Sequence, residues 1–299
     1  MRRLAPAPLF FLLFSVFVEP TPAEKDIPAR FLVGVETVVV RVAVTDPLNR
    51  YVVGLEQEFF KIYENNVEQT ITHFTNDPSA LSVGIVLDIS GSMKANILSA
   101  RNSVIRFLER GNAQDEYFLV TFNDRTALVQ DFTPRSTNIE NQISISNPKG
   151  RTALYDAVYL ALQKARDSRN EKKALIIITD GEDNNSRYTF KEVKEFAKES
   201  DTQIYVIGER GEMGYGIAVS REIVRLTGGR AFFPNSFKEL DYFCNLIHTE
   251  LRNQYVIGYT PSDGEKNGKW RKIKVRLKPP EGLPKLSVRS REGYFAPKN

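Results

Sequence analysis

The residue types best suited to chemistry sit in one short stretch, Asp88-Ile-Ser90-Gly-Ser92. A carboxylate and two hydroxyls stand at alternate positions, and Gly91 lets the backbone turn between the two serines. Oxygen-only donors on a tight loop suit a hard divalent cation such as Mg2+. The competing reading is a polar loop in which Ser90 or Ser92 caps the next helix. Two later pieces bear on the choice. Gly150-Arg-Thr152 stands directly before a helical pattern, where Thr152 is either a neutral oxygen donor or an N-cap. Thr179-Asp180-Gly181 ends the most apolar run of the chain, where Asp180 is either a second carboxylate donor or half of an ordinary Asp-Gly turn.

These three pieces need elements to bring them together. Residues 83–87 read as a buried parallel strand, and residues 174–179 as a continuous apolar, central one. Further strands are expected at 117–122, 126–132, 203–208 and near Ala231. They alternate with helical stripes: Ile97, Ala100, Val104, Phe107 and Leu108; Leu154, Ala157, Val158, Ala161 and Ala165; then 190–200, 220–227 and 236–252. A short helix fits the polar stretch 134–148. This alternation predicts an α/β fold with a doubly wound, mainly parallel sheet over residues 79–253. Such topology sends all three polar loops to one edge of the sheet, where open α/β sheets carry their sites.

The flanks read as β structure. Val38, Val40, Val42 and Val44 alternate on one face, and 60–63 with 67–74 reads as a hairpin about Asn65-Asn66. Beyond the α/β region come strands at 255–259, 270–278, 286–289 and Tyr294-Phe295. In the second of these, Ile273, Val275 and Leu277 alternate with Lys272, Lys274, Arg276 and Lys278, so the charge run reads most simply as the wet face of a half-buried strand, the alternative being a binding patch for an acidic polymer. Residues 27–78 and 254–299 are each too short to stand alone comfortably. They are expected to pair as a smaller, discontinuous β-sandwich-like domain into which the α/β domain is inserted.

Residues 1–23 have the form of a secretory signal: Arg2 and Arg3, an apolar run 9–18, then Thr21-Pro-Ala23 with small residues before a cleavage point after Ala23. The alternative is an uncleaved N-terminal anchor. Cleavage would make the protein periplasmic or secreted, and no later segment is long and apolar enough to cross a membrane. The chain carries a formal charge of +4, of which Arg2, Arg3 and Glu19 account for +1. That balance is too mild to argue for a nucleic-acid partner. A single cysteine, Cys244, excludes an internal disulfide, and its place on the apolar stripe of Leu240, Phe243, Ile247 and Leu251 reads as a buried, inert thiol.

The three pieces together resemble a von Willebrand factor A (VWA) domain with a complete metal-ion-dependent adhesion site. In that family Asp-x-Ser-x-Ser follows the first strand, a Thr precedes a helix in a later loop, and an Asp ends a buried strand. The matching residues here are Asp88, Ser90, Ser92, Thr152 and Asp180. A wider resemblance, to bacterial VWFA-related exported proteins of the acidobacterial type, rests on Val44-Thr-Asp46, Phe59-Phe60-Lys-Ile-Tyr-Glu64, Ile71-Thr-His-Phe74, Tyr255-Val-Ile-Gly-Tyr259, Trp270-Arg-Lys-Ile-Lys-Val275 and Arg291-Glu-Gly-Tyr-Phe295. Asn65-Asn66 departs from the Asp-Gly or Asn-Gly turn more usual in that group. The resemblance implies Mg2+, with Mn2+ or Ca2+ able to substitute, and a protein ligand whose Asp or Glu carboxylate completes the metal shell. It also implies that helix 236–252 shifts when a ligand binds.

An exported binding module is therefore expected, with no catalytic residues. The alternatives are a metal-dependent hydrolase on the same site and an exported scaffold without functional metal. A hydrolase needs a base beside metal-bound water. Neither His73 nor His248 belongs to a metal-ligand pattern. Glu182 and Asp183 could serve as a base, and read more simply as a polar loop that tunes the site's charge. Nucleotide binding lacks both a G-x-G-x-x-G loop and a Walker lysine motif, and the glycine-rich stretch 208–216 reads as a loop. Oligomeric state has no signature in the sequence.

Overall fold

The structure is a computed structural model that describes residues 37–76, 79–208 and 214–298. The expected signal segment, residues 1–23, lies outside the described residues, as does the middle of the glycine-rich stretch 208–216. Glu36–Asn299 forms one compact unit. In chain order its strands are β1 (Val38–Thr45), β2 (Phe60–Glu64), β3 (Val67–Gln69), β4 (Ile71–Thr75), β5 (Leu81–Asp88), β6 (Glu116–Phe122), β7 (Thr126–Thr133), β8 (Lys172–Thr179), β9 (Gln203–Gly208), β10 (Ala231–Phe232), β11 (Tyr255–Tyr259), β12 (Trp270–Leu277), β13 (Ser287–Ser290) and β14 (Gly293–Phe295). Its helices are α1 (Ile97–Glu109), α2 (Ser136–Ile145), α3 (Leu154–Ala165), α4 (Phe190–Glu199), α5 (Gly214–Thr227) and α6 (Leu240–Arg252).

The main sheet has six strands in the order β10-β9-β8-β5-β6-β7, all parallel except the edge strand β7. Every residue of β5 and β6 is buried, because helices cover both faces of the sheet. Side chains of α1, α2 and α6 pack on one face around Val83, Ile85 and Leu87. Those of α3, α4 and α5 pack on the other around Val86, Leu175 and Ile177. This is the doubly wound α/β arrangement that the strand–helix alternation predicts.

The flanking segments build two further four-stranded sheets, β13-β1-β11-β4 and β14-β12-β2-β3. Strand β1 pairs with β11, and β2 with β12, so the two ends of the chain are knitted together. Their inner faces share a core of Val40, Val42, Phe60, Ile62, Tyr255, Ile257, Tyr259 and Ile273. Within it, Glu64 is 3% exposed yet fully engaged: it meets Arg271 at 3.0 Å and accepts from Tyr259 and Tyr294 at 2.7 and 2.8 Å. A carboxylate held so far from water needs those partners.

The hairpin differs from the expectation of one returning strand over 67–74. Asn65 and Asn66 take φ of 46° and 69°, which makes the tight turn. The chain then breaks after Gln69, so β3 stays with β2 while β4 crosses to pair with β11 in the opposite sheet. Gln69 marks the corner, since its side-chain amide binds both Ser262 Oγ and the Ser262 backbone N–H.

Candidate metal centre

Strands β5 and β8 are adjacent and parallel, so Asp88 and Asp180 emerge at the same carboxyl edge. Thr179, at the end of β8, donates from Oγ1 to Asp88 Oδ2 at 2.5 Å. Asp88 Oδ1 accepts the Ser90 backbone N–H at 2.7 Å. Both carboxylate oxygens are thus oriented by donors of the protein itself. Ser90 Oγ lies 3.1 Å from Ser92 Oγ, and Ser92 Oγ donates to Asp180 Oδ1 at 2.6 Å. Asn96, just before α1, reaches Asp180 Oδ2 with its amide at 3.3 Å.

Thr152 arrives from a third loop. Gly91 N–H donates to the Gly150 carbonyl at 3.0 Å, which stitches that loop to the Asp88–Ser92 loop. Gly150 has φ of 83° and its α-carbon faces Asp124, so a side chain there would be strained and would collide with that carboxylate. Thr152 N–H is held by Asn184 Oδ1 at 2.9 Å, while the Thr152 carbonyl accepts from Asn184 and Asn185 N–H at 2.9 and 3.2 Å. A Cβ on Gly181 would sit 3.4 Å from Thr152 Oγ1 and 3.8 Å from Ser92 Oγ. Glycine at 181 therefore leaves open the space between the β8 loop and these hydroxyls.

The competing structural roles fall away. None of the three hydroxyls caps a helix: α1 follows Asn96 and α3 follows Ala153, neither start having a side-chain cap from its own N-cap residue. The first N–H groups of α3 are instead taken by Asp183 Oδ1 at 3.2 Å and Ser186 Oγ at 3.0 Å, from the loop after β8. Asp180 does more than turn the chain, because it accepts from Ser92 and Asn96. Glu182 and Asp183, the residues that could have acted as a base, both hold N–H groups at helix starts: Glu182 Oε1 accepts from Gly216 N–H of α5 at 3.0 Å, and Asp183 from Tyr155 N–H of α3 and from Ser186 Oγ.

All five sequence-selected residues thus converge on one edge of the sheet. Asp88, Ser90, Thr152 and Asp180 are buried, and Ser92 is exposed at the mouth. Burial pushes the Asp88 carboxyl up to about 6, and the negative charge of Asp180 adds to this, against the hydrogen bonds from Ser90 and Thr179. Among the described residues no three His, Cys, Asp or Glu side chains gather to hold a metal. A cation here would need the hydroxyls. Two carboxylates and three hydroxyls, with no nitrogen or sulfur, are a donor set for a hard divalent ion.

A family model described as von Willebrand factor type A domain matches residues 82–244, more than half of the chain. The chain belongs to the von Willebrand factor type A domain family. No curated protein matches it. Among solved structures, a von Willebrand factor type A protein from Catenulispora acidiphila shares 11% identity over 88% of this chain and 75% of its own, with a TM-score of 0.54. An aerotolerance-related membrane protein from Bacteroides fragilis shares 19% identity over 57% of this chain and 98% of its own, with a TM-score of 0.48. Proximal thread matrix protein 1 from the mussel byssus, with zinc in its MIDAS motif, shares 20% identity over 63% of this chain and 49% of its own, with a TM-score of 0.49. The C. acidiphila likeness bears on the fold, and at that identity on the fold alone.

Sequence reasoning missed Thr179 as the orienter of Asp88, and Asn96 and Asn184 as supports of Asp180 and Thr152. Thr179 left one trace, a polar residue closing a wholly apolar run. The two asparagines left none, because their partners are distant in sequence.

Proposed function

We propose that this chain is an exported, divalent-metal-dependent protein-binding module. Domains of its family are generally interaction modules rather than enzymes. Asp88, Ser90, Ser92, Thr152 and Asp180 would hold the ion, Mg2+ by preference, with Mn2+ or Ca2+ as substitutes. The observation that carries this reading is the convergence of two carboxylates and three hydroxyls at one carboxyl edge, with Asp88 buried and both its oxygens pre-oriented. When bound, the ion supplies a Lewis-acidic position that an Asp or Glu carboxylate of a partner can fill. Thr179 and the Ser90 N–H fix the Asp88 carboxylate, Asn96 steadies Asp180, and exposed Ser92 marks the side from which a partner approaches.

Export is part of the proposal and rests on the sequence of residues 1–23. No helix among the described residues is long and apolar enough to cross a membrane. We also propose that residues 27–78 with 254–299 act as a β domain carrying the metal-binding domain 79–253. The binding reading is tested by incubating immobilised wild-type and Asp88→Ala proteins with exported proteins of the source cells. Proteins retained in Mg2+, released by EDTA and absent from the Asp88→Ala support are the expected result. An identical set on both supports, indifferent to EDTA, would overturn it.

A further inference from the structure

The loops around the candidate metal centre carry more cations than its own chemistry uses. Lys94 lies in the short turn Ser92–Ala95, two residues from Ser92. Lys149 and Arg151 flank Gly150, and Arg125 stands in the turn between β6 and β7. All four are exposed, and none makes an ion pair among the described residues. Backbone hydrogen bonds tie their loops to the site. Lys149 N–H donates to Ile89 O at 2.9 Å, Asn123 N–H to Arg125 O at 3.0 Å, and Ala153 N–H to Asn123 O at 2.9 Å. At about 3.8 Å per residue, Lys94 and Arg151 have their α-carbons within roughly 8 Å of those of Ser92 and Thr152.

The neighbouring acids are differently placed. Glu182 and Asp183 lie on the β8 side of the site and bind N–H groups of α5 and α3, as described above. Asp124 stands among the cations, where its Oδ1 accepts the Arg151 backbone N–H at 2.9 Å. The side formed by the β5 and β6 loops and the loop before α3 therefore presents four cationic heads against one exposed carboxylate. Among the described residues, Arg151 alone of these four has a side-chain hydrogen-bond partner, Asn185 Oδ1 at 3.5 Å.

We propose that this half-rim selects the partner: Lys94, Arg125, Lys149 and Arg151 read further carboxylates beside the one that meets the metal, so the ligand is an acidic stretch of polypeptide. This rests on the metal-dependent reading above. An extended peptide advances about 3.3 Å per residue. Residues up to three positions from the metal-bound carboxylate thus lie within about one screening length of it, roughly 10 Å at 0.1 M salt. Flanking acids can gain there, and flanking lysines are repelled.

The test uses the full mature chain saturated with Mg2+ and two end-blocked peptides, Gly-Gly-Glu-Gly-Gly and Gly-Glu-Glu-Glu-Gly. Two added exposed ion pairs are expected to tighten binding of the second peptide by about tenfold at low salt. That gap should close in 0.5 M salt, and in a Lys94→Ser/Lys149→Ser/Arg151→Ser variant that still titrates with Mg2+. Equal affinities for the two peptides would overturn the proposal while leaving carboxylate capture intact. Failure of both peptides to bind the Mg2+-loaded protein would remove carboxylate capture, and this proposal with it. Equal binding of the three-glutamate peptide or of oligo-dT in EDTA would show a general anion patch and would also overturn it.

Discussion

Asp88 sets the energetics of the candidate site. Its carboxyl is raised to about 6 by burial, with Asp180 adding to the effect. A raised carboxyl means that the folded protein binds the proton more tightly than the unfolded chain does. The metal-free protein should therefore lose stability as pH rises from about 4 to 6, by on the order of 3 kcal/mol. Denaturant unfolding in EDTA across that range checks the sign; a flat or rising profile would contradict it. A divalent ion relieves the same strain, so saturating Mg2+ should recover stability most above pH 6. Thr179→Val removes the 2.5 Å donor to Asp88 without adding volume. Losing an orienting partner of this kind typically costs 10- to 100-fold in metal affinity. Titration of that variant should show such a loss with the fold retained, and an unchanged affinity would mean that Thr179 is a bystander.

At the level of elements, α6 is held at its C-terminal half by groups the metal site does not use. Glu250 is fully buried and accepts from Tyr205 at 2.8 Å and Tyr51 at 2.9 Å, and it pairs with Arg289 of β13. Lys172, at the start of β8, donates to the Leu251 carbonyl at 2.8 Å, and Arg252 pairs with buried Asp115. These contacts run from the α1–β6 loop, the main sheet and the β flanks into one helix, so a ligand-driven shift of α6 would have to break or carry them. Glu250→Ala should cost about 3–5 kcal/mol, because it strands Arg289 and Tyr205 without their acceptor and leaves Tyr51 only the Leu246 carbonyl. A loss under 1 kcal/mol in urea unfolding would mean that the helix is not anchored there. The elements themselves were legible in the sequence where periodicity was strong: the apolar runs of β5 and β8 and the stripes of α1 and α3 appear as read. The break after Gln69 was not legible, because both halves of 67–75 alternate as one strand would, and only pairing with β11 sends β4 to the other sheet. The capping of α3 by Asp183 and Ser186 was equally hidden, since those residues lie about thirty positions downstream.

For the whole molecule, site and scaffold are coupled through free energy. Folding brings Asp88 and Asp180 to the same edge, and an ion that binds only this arrangement must stabilise it. At a hundredfold excess over Kd the gain is about 2.7 kcal/mol. For a chain of this size that is roughly 4–5 °C in Tm. Thermal unfolding with Mg2+ and with EDTA checks it, and Asp88→Ala should show no difference between the two. The most direct measurement is calorimetric titration of Mg2+ and Mn2+ into EDTA-stripped mature protein, with Asp88→Ala in parallel. One ion per chain, bound saturably by the wild type and not by the variant, is the expected result. No saturable binding in either, or equal binding in both, would contradict a metal centre built on Asp88, Ser90, Ser92, Thr152 and Asp180.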